Sequence, residues 1–273
     1  MTVVLIVQHA DEDGPCLIGD ILSEKSVPFV ICKIFEDDDF RWMPESQSMP
    51  VIVRSCNNSQ WRNCLSPAFE KTENSWVATI CGVIVLGGDS NVRDELPYFS
   101  KLSHMMLSCV ASETPLLAIC LGAQLLSHTL GGIVDRAVQP EYGWVAAKPC
   151  GPKMDDEAIY NWFGCTDEVC VFQWHADTFS IPSGAVRVAV GKYCENQAFQ
   201  LPRKRVLATQ FHWEIDGIKA HFYMSGDAHQ TCPLKASCIM TEAALNLSLE
   251  HGSEQLQSNA QLARRILEQW LTS

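Results

Sequence analysis

Pro115-Leu116-Leu117-Ala118-Ile119-Cys120-Leu121-Gly122-Ala123-Gln124 is an apolar run of strand character that stops at a cysteine. A helical pattern follows at once, running through Leu125, Leu126, Ser127, His128, Thr129 and Leu130. Strand, sharp corner and helix in this order describe a nucleophile elbow, in which the corner residue is held out at the strand end. A thiolate at a helix N-terminus is stabilised by the unpaired N–H groups and the helix dipole. A cysteine closing a core strand has a plainer explanation too, because a free thiol packs as a small hydrophobe. Cys120 alone leaves these two readings even.

Two further elements separate them. Val206-Leu207-Ala208-Thr209-Gln210-Phe211-His212-Trp213-Glu214 reads as a second short apolar strand ending in His-x-Glu. Alternate residues of a strand share a face, so this spacing predicts that His212 and Glu214 lie side by side. A carboxylate there fixes the imidazole tautomer, and the imidazole can take a thiol proton and return it to a leaving group. Upstream, Val83-Ile84-Val85-Leu86-Gly87-Gly88-Asp89 is a strand opening into a glycine pair. Glycines let backbone N–H groups turn toward a developing oxyanion. Three strand ends therefore describe one acyl-transfer site, with Cys120, His212 and Glu214 as its catalytic group.

In these motifs the chain resembles the class I glutamine amidotransferase domains of the Cys-His-Glu triad type. Leu86-Gly87-Gly88, Ile119 to Gln124 and Gln210 to Glu214 carry the likeness. Glu141-Tyr142-Gly143-Trp144, Gln173 to Pro182 and Asn196-Gln197-Ala198-Phe199 extend it toward the stand-alone amidotransferase-like or γ-glutamyl peptidase-like branch. The likeness runs from about residue 2 to about residue 223. Trp213 stands where this family usually has proline, which bears on the local turn and on a partner surface. The resemblance implies an oxyanion hole from the backbone N–H groups of Gly88 and Leu121. It also implies substrate contacts at Gly87, Gln124, Trp174 and His175, and no cofactor.

Composition narrows the classes. The 273 residues are 47% hydrophobic and 19% charged, enough for a large core, and the net charge is −12. That acidity argues against a nucleic-acid surface, which wants a basic stripe. No apolar run reaches the length of a membrane span, and Met1 to His9 reads as a first strand, not a signal peptide. Thirteen cysteines are scattered, odd in number and partly inside apolar strands, which fits a reduced, cytoplasmic protein better than a disulfide framework. Cys56/Cys64 and Cys232/Cys238 lack the tight spacing of a zinc site. His175-x-Asp177 has metal-ligand residue types, but a turn or substrate contact explains it better, so no metal is expected. His9, His104, His128, His221, His229 and His251 are read as structural or exposed.

Strand and helix patterns alternate: strands at 2–8, 28–34, 81–86 and 115–120, helices at 16–24, 94–110 and 122–130. Such alternation builds an α/β fold, a mostly parallel doubly wound sheet with helices on both faces, and ligands bind beyond its carboxyl strand ends. From 131 onward short strand-like pieces predict a small antiparallel section; the resemblance names the whole a flavodoxin-like amidotransferase fold. One domain is expected over 1–273, with insertions near 36–78, including the acidic run 36–39, and near 224–254, and a C-terminal helix at 257–272.

The expected reaction is hydrolysis of a γ-glutamyl amide through a cysteinyl thioester, autonomous and releasing glutamate. The first alternative is a glutaminase subunit delivering ammonia to a separate synthetase partner, since the chain shows no Walker A pattern or pyrophosphatase loop of its own. The second is a non-enzymatic sensor or interaction protein with a reactive cysteine, for which an intact His-x-Glu has no evident use.

Overall fold

The computed structural model describes residues 2–34, 51–53, 70–72, 75–151, 159–164, 167–224 and 252–272. The acidic run 36–39, both cysteine pairs, His229, His251, most of the 36–78 insertion and nearly all of the 224–254 insertion lie outside these residues. The chain runs β1 (Thr2–Gln8), α1 (Cys16–Glu24), β2 (Phe29–Lys33), β3 (Val51–Val53), β4 (Glu70–Thr72), β5 (Ser75–Val85), α2 (Pro97–Ser112), β6 (Leu116–Ile119) and α3 (Leu121–Thr129). It continues through β7 (Val134–Pro149), β8 (Val169–Phe179), β9 (Val186–Gly191), β10 (Ala198–Gln200), β11 (Val206–Thr209), α4 (Gly217–Met224) and α5 (Gly252–Thr272).

The strands form one mixed sheet in the order β2-β1-β5-β6-β11-β10-β9-β7-β8, with β3 and β4 pairing β5. β2, β1, β5, β6 and β11 are mutually parallel. β10, β9, β7 and β8 continue antiparallel. Strand alternation sorts the parallel core into two layers. Val4, Ile6, Ile84 and Leu117 face a cluster with Ile18 of α1 and Leu262, Ile266 and Trp270 of α5. Leu5, Val7, Val83 and Leu116 face the other, with Phe99 and Leu102 of α2 and Leu125 and Leu126 of α3. Gly82 is small because Trp270 lies on it: a Cβ there would fall 2.5 Å from the indole.

Two expectations change. The short strand-like pieces expected from 131 onward include one long strand, the 16-residue β7. It pairs the 11-residue β8 from Val134↔Phe179 to Ala147↔Val169, with a register shift between Arg136 and Glu141. β7 has exposed or half-buried residues on both faces over much of its length, so it lacks the clean alternation that marks a half-buried strand. The segment 206–214 is not a single strand either. β11 stops at Thr209, where the Thr209 hydroxyl donates to the Phe211 carbonyl at 3.0 Å and turns the chain. His212 then makes an isolated bridge to Phe172 of β8.

Trp213, the departure from the family pattern, is 1% exposed and packs in the core that contains α5. Asn259 of α5 donates to both the Trp213 carbonyl, at 3.0 Å, and the Ile215 carbonyl, at 2.9 Å. A helix distant in sequence thus brackets Glu214 by its backbone.

Candidate active site

Cys120 occupies the corner between β6 and α3 with φ 49° and ψ −108°. L-residues rarely adopt such a conformation. Its N–H is held by the Thr209 carbonyl of β11 at 2.8 Å, and its own carbonyl takes the Gln124 N–H at 2.9 Å. Gly122 makes the corner possible. A Cβ there would lie 2.5 Å from the Val85 carbonyl oxygen and 3.0 Å from that of Leu86. The elbow therefore presses against the end of β5, and the side chain of Cys120 is 5% exposed at the carboxyl edge of the parallel strands.

His212 and Glu214 meet beside it. His212 Nδ1 lies 2.7 Å from Glu214 Oε1, both residues buried, and the His212 backbone N–H donates to Phe172 O at 2.8 Å. Burial would lower the imidazole pKa. The Glu214 carboxylate and the Cys120 sulfur outweigh that and hold it well above the ordinary histidine range. Cys120, His212 and Glu214 thus form one triad-like group, brought together by a post-strand turn and not by strand alternation.

The glycine pair sits against this group. A Cβ on Gly87 would fall 2.8 Å from His212 Cε1 and 3.3 Å from Cys120 Cβ, so Gly87 is the floor under the imidazole. A Cβ on Gly88 would meet His9 Cβ at 2.7 Å and Leu121 Cδ2 at 3.1 Å. The Gly88 loop and the Leu121 side chain at the start of α3 are therefore neighbours. His9 is buried beside them, with Nδ1 3.2 Å from the Tyr98 hydroxyl. Burial pushes its pKa down to about 4 against a smaller opposing effect of Asp13.

Behind the sulfur lies a buried polar network. Gln210 Nε2 is 3.7 Å from Cys120 Sγ, and its Oε1 is 3.3 Å from Gln124 Nε2. Gln124 Nε2 also reaches the Asp177 carbonyl, at 3.4 Å. His175 Nδ1 meets the same carbonyl at 2.8 Å, while Nε2 lies 3.1 Å from Glu141 Oε2. Both ring nitrogens of His175 are thus engaged within the protein. Glu141, His175 and Cys194 bring three ligand-type atoms within 4.8 Å of one another. Gln197 Nε2 is inserted among them, donating to Glu141 Oε2 at 2.6 Å and to the Cys194 carbonyl at 3.1 Å. An amide donor in that position is the mark of a hydrogen-bond network, because a cation needs acceptors there. The Asp177 carboxylate is gripped by Arg93, at 3.1 Å, by Arg136, at 3.4 Å, and by Asn91.

The outer wall is aromatic and its rim acidic. Trp174, whose carbonyl lies 4.0 Å from Cys120 Sγ, packs against Tyr142 and Tyr223 with ring centroids 5.1 and 5.0 Å away. The Tyr223 hydroxyl donates to Asp13 at 2.6 Å. Burial first, then Asp13, drive its pKa well above the ordinary phenol value. Asp89 is raised by burial and by Asp13, Glu12 and Asp94, so the loops after β1 and β5 concentrate negative charge at one end of the sheet. Tyr223 and Asp13 were not singled out from the sequence, and Gln210 only as the start of the motif that ends in Glu214. Gln210 had a signal, two residues before His212; Tyr223 and Asp13 had none, because only folding brings α4 and the β1 loop to the cysteine.

A cysteine on a strand–helix elbow, a histidine–carboxylate pair and a glycine loop at the carboxyl edge of a parallel sheet define a thiol-triad α/β protein. The family model for glutamine amidotransferase class-I matches residues 51–221. The chain belongs to that family, with its flavodoxin-like fold. A crystal structure of a glutamine amidotransferase from Methylobacillus flagellatus shares 25% identity at a TM-score of 0.71, covering 98% of this chain and 94% of that one. One subunit of the glutamine-hydrolyzing GMP synthase of Saccharolobus solfataricus is 31% identical over 134 residues, 49% of this chain and 66% of that protein. The glutamine-hydrolyzing GMP synthase of Geobacillus kaustophilus is also 31% identical, over 62% of this chain but 31% of its own length. The chain thus spans between 31% and 66% of the length of these curated relatives. Among the described residues no helix is long and apolar enough to cross a membrane, and no disulfide joins the cysteines.

Proposed function

We propose that the chain hydrolyses the side-chain amide of glutamine through a thioester on Cys120 and passes the ammonia to a synthetase. The observation that carries the chemistry is the contact of buried His212 with Glu214 at 2.7 Å on one side and its electrostatic coupling to Cys120 on the other. In this reading His212 takes the Cys120 proton as sulfur attacks the amide carbon, and the carbonyl electron pair moves onto oxygen. The N–H groups of Leu121 and Gly88 receive that oxyanion, each donor being worth about 3 kcal/mol of barrier. Collapse of the intermediate breaks the C–N bond, and His212 gives its proton to the departing nitrogen, which leaves as ammonia. Water then attacks the thioester, His212 accepts its proton and returns it to sulfur, and glutamate departs. Glu214 keeps the imidazole in one tautomer throughout. The Trp174 wall lines the mouth and suits contacts to the substrate, with Gln124 in the buried network behind the sulfur.

The sequence favoured autonomous hydrolysis of γ-glutamyl compounds. The relatives favour ammonia delivery instead, because they are glutamine-hydrolyzing synthases, one of them a separate subunit. One observation keeps autonomy as a second reading: Cys120, His212 and Glu214 already stand together within this one chain. The test is glutamate release from glutamine and from a panel of γ-glutamyl peptides, with Cys120→Ser and His212→Ala as blanks. Glutamine turnover that rises when an ATP-dependent synthetase is added supports delivery. Faster turnover of γ-glutamyl peptides, indifferent to any partner, transfers the function to the autonomous hydrolase. A diazoketone glutamine analogue that labels another cysteine and leaves Cys120 free would sink both.

A further inference from the structure

The Asp177 carbonyl, 6% exposed at the residue level, can only accept hydrogen bonds. Two groups face it, His175 Nδ1 at 2.8 Å and Gln124 Nε2 at 3.4 Å, one for each lone pair. Gln124 must therefore turn its NH2 toward Asp177 and not its oxygen. The same NH2 lies 3.3 Å from the side chain of Gln210, so that end of the Gln210 amide has to be the oxygen. The other end, the NH2, is then left 3.7 Å from Cys120 Sγ. Amide ends are interchangeable in shape, yet here a backbone carbonyl dictates both orientations in turn. Gln210 is itself 0% exposed, so water does not compete for its groups.

We propose that Gln210 is a positioning residue for the nucleophile, donating an amide N–H to the Cys120 sulfur in an orientation imposed from Asp177 through Gln124. The inference rests on Cys120 being the nucleophile. A hydrogen bond to a charged acceptor stabilises that charge more than a neutral one, so the donor favours thiolate over thiol. His212, which follows β11, and Tyr223, from α4, are the titratable groups coupled to Cys120; neither is altered when Gln210 is replaced.

The experiment reads the thiol directly, without turnover. Iodoacetamide alkylation of the Cys120 peptide is followed by mass spectrometry across pH for the full chain. Gln210→Leu keeps the volume and deletes the donor, so the pH of half-maximal reactivity should rise by about one unit. Gln124→Leu leaves Gln210 in place but frees it to flip, so it should move the midpoint the same way by less. Urea midpoints establish that each variant is folded. A folded Gln210→Leu variant with an unchanged midpoint overturns the proposal, and if that variant does not fold, an unchanged midpoint in Gln124→Leu does so. Failure of the nucleophile reading would look different: Cys120 of the unaltered protein would alkylate no faster than the exposed Cys150 at any pH.

Discussion

Gly87→Ala adds a single methyl group beneath the imidazole of His212. The new carbon would stand 2.8 Å from His212 Cε1, and ordinary contact begins at 3.4 Å, so about 0.6 Å of separation has to be found. The ring has little freedom to supply it. Glu214 holds Nδ1 at 2.7 Å, and the backbone N–H is tied to Phe172 O at 2.8 Å. Cys120 Cβ stands on the other side, 3.3 Å from the added carbon. A displacement of about 1 Å in a catalytic geometry costs roughly a hundredfold, so about 0.6 Å corresponds to a loss of tenfold to twentyfold. Stability should fall less. Overpacking costs about 1–3 kcal/mol, and replacing glycine recovers about 0.4–1 kcal/mol through the unfolded chain, a net cost of roughly 0–2.5 kcal/mol. The assay is kcat/KM for glutamate release together with a urea midpoint, against Gly14→Ala, whose Cβ meets nothing within 4 Å. Gly14→Ala should leave kcat/KM unchanged and hold or slightly raise the urea midpoint. A Gly87→Ala protein with unimpaired kcat/KM would refute the packing argument.

The remaining predictions concern stability. His9 titrates near pH 4 when folded and near 6.5 when unfolded. The unfolded chain therefore binds more protons between those values, and stability falls as pH drops through that window, by about 3 kcal/mol in all. Urea unfolding at pH 7 and pH 4.5 should show part of that fall. His9→Asn should flatten it, and an equal slope in both proteins would remove His9 as the cause. Asn259→Ala strands two buried carbonyls, of Trp213 and Ile215, and should cost about 1–3 kcal/mol in a urea titration; a loss below about 0.5 kcal/mol would mean water or a shifted side chain replaces both bonds.

The parallel half of the fold was legible because its strands are buried on both faces and its helices alternate with them; β1, α1, β6 and α3 appear within a residue or two of their expected bounds. The triad spacing was legible too, although His212 and Glu214 meet through the turn begun by Thr209 and not through strand alternation. What the sequence hid has two physical causes. β7 and β8 form a long hairpin whose side chains do not alternate cleanly, so its length could not be seen in the pattern. The second cause is directionality. Nothing local distinguishes a glutamine that donates to sulfur from one that does not, and Gln210 acquires its orientation only from Asp177, thirty-three positions earlier in the chain. Gly87 likewise reads as a loop glycine until the ring of His212 is set upon it. Trp213, which stands where the family usually has proline, turns inward because α5 supplies an apolar wall that no residue near it in sequence announces.

The clasp of Asn259 on either side of Glu214 ties the loop that carries the carboxylate to the docking of α5. Cleaved between residues 224 and 252, the protein would separate into a body carrying Cys120, His212 and Glu214 and a helix carrying Asn259 above Leu262, Ile266 and Trp270. Neither piece alone fixes the loop that aims the carboxylate. Reunited, they would restore it without a covalent link, since Trp270 on Gly82 and the two Asn259 hydrogen bonds need only proximity. The helix could then be supplied as a peptide, a switch that turns a thiol on from outside the chain.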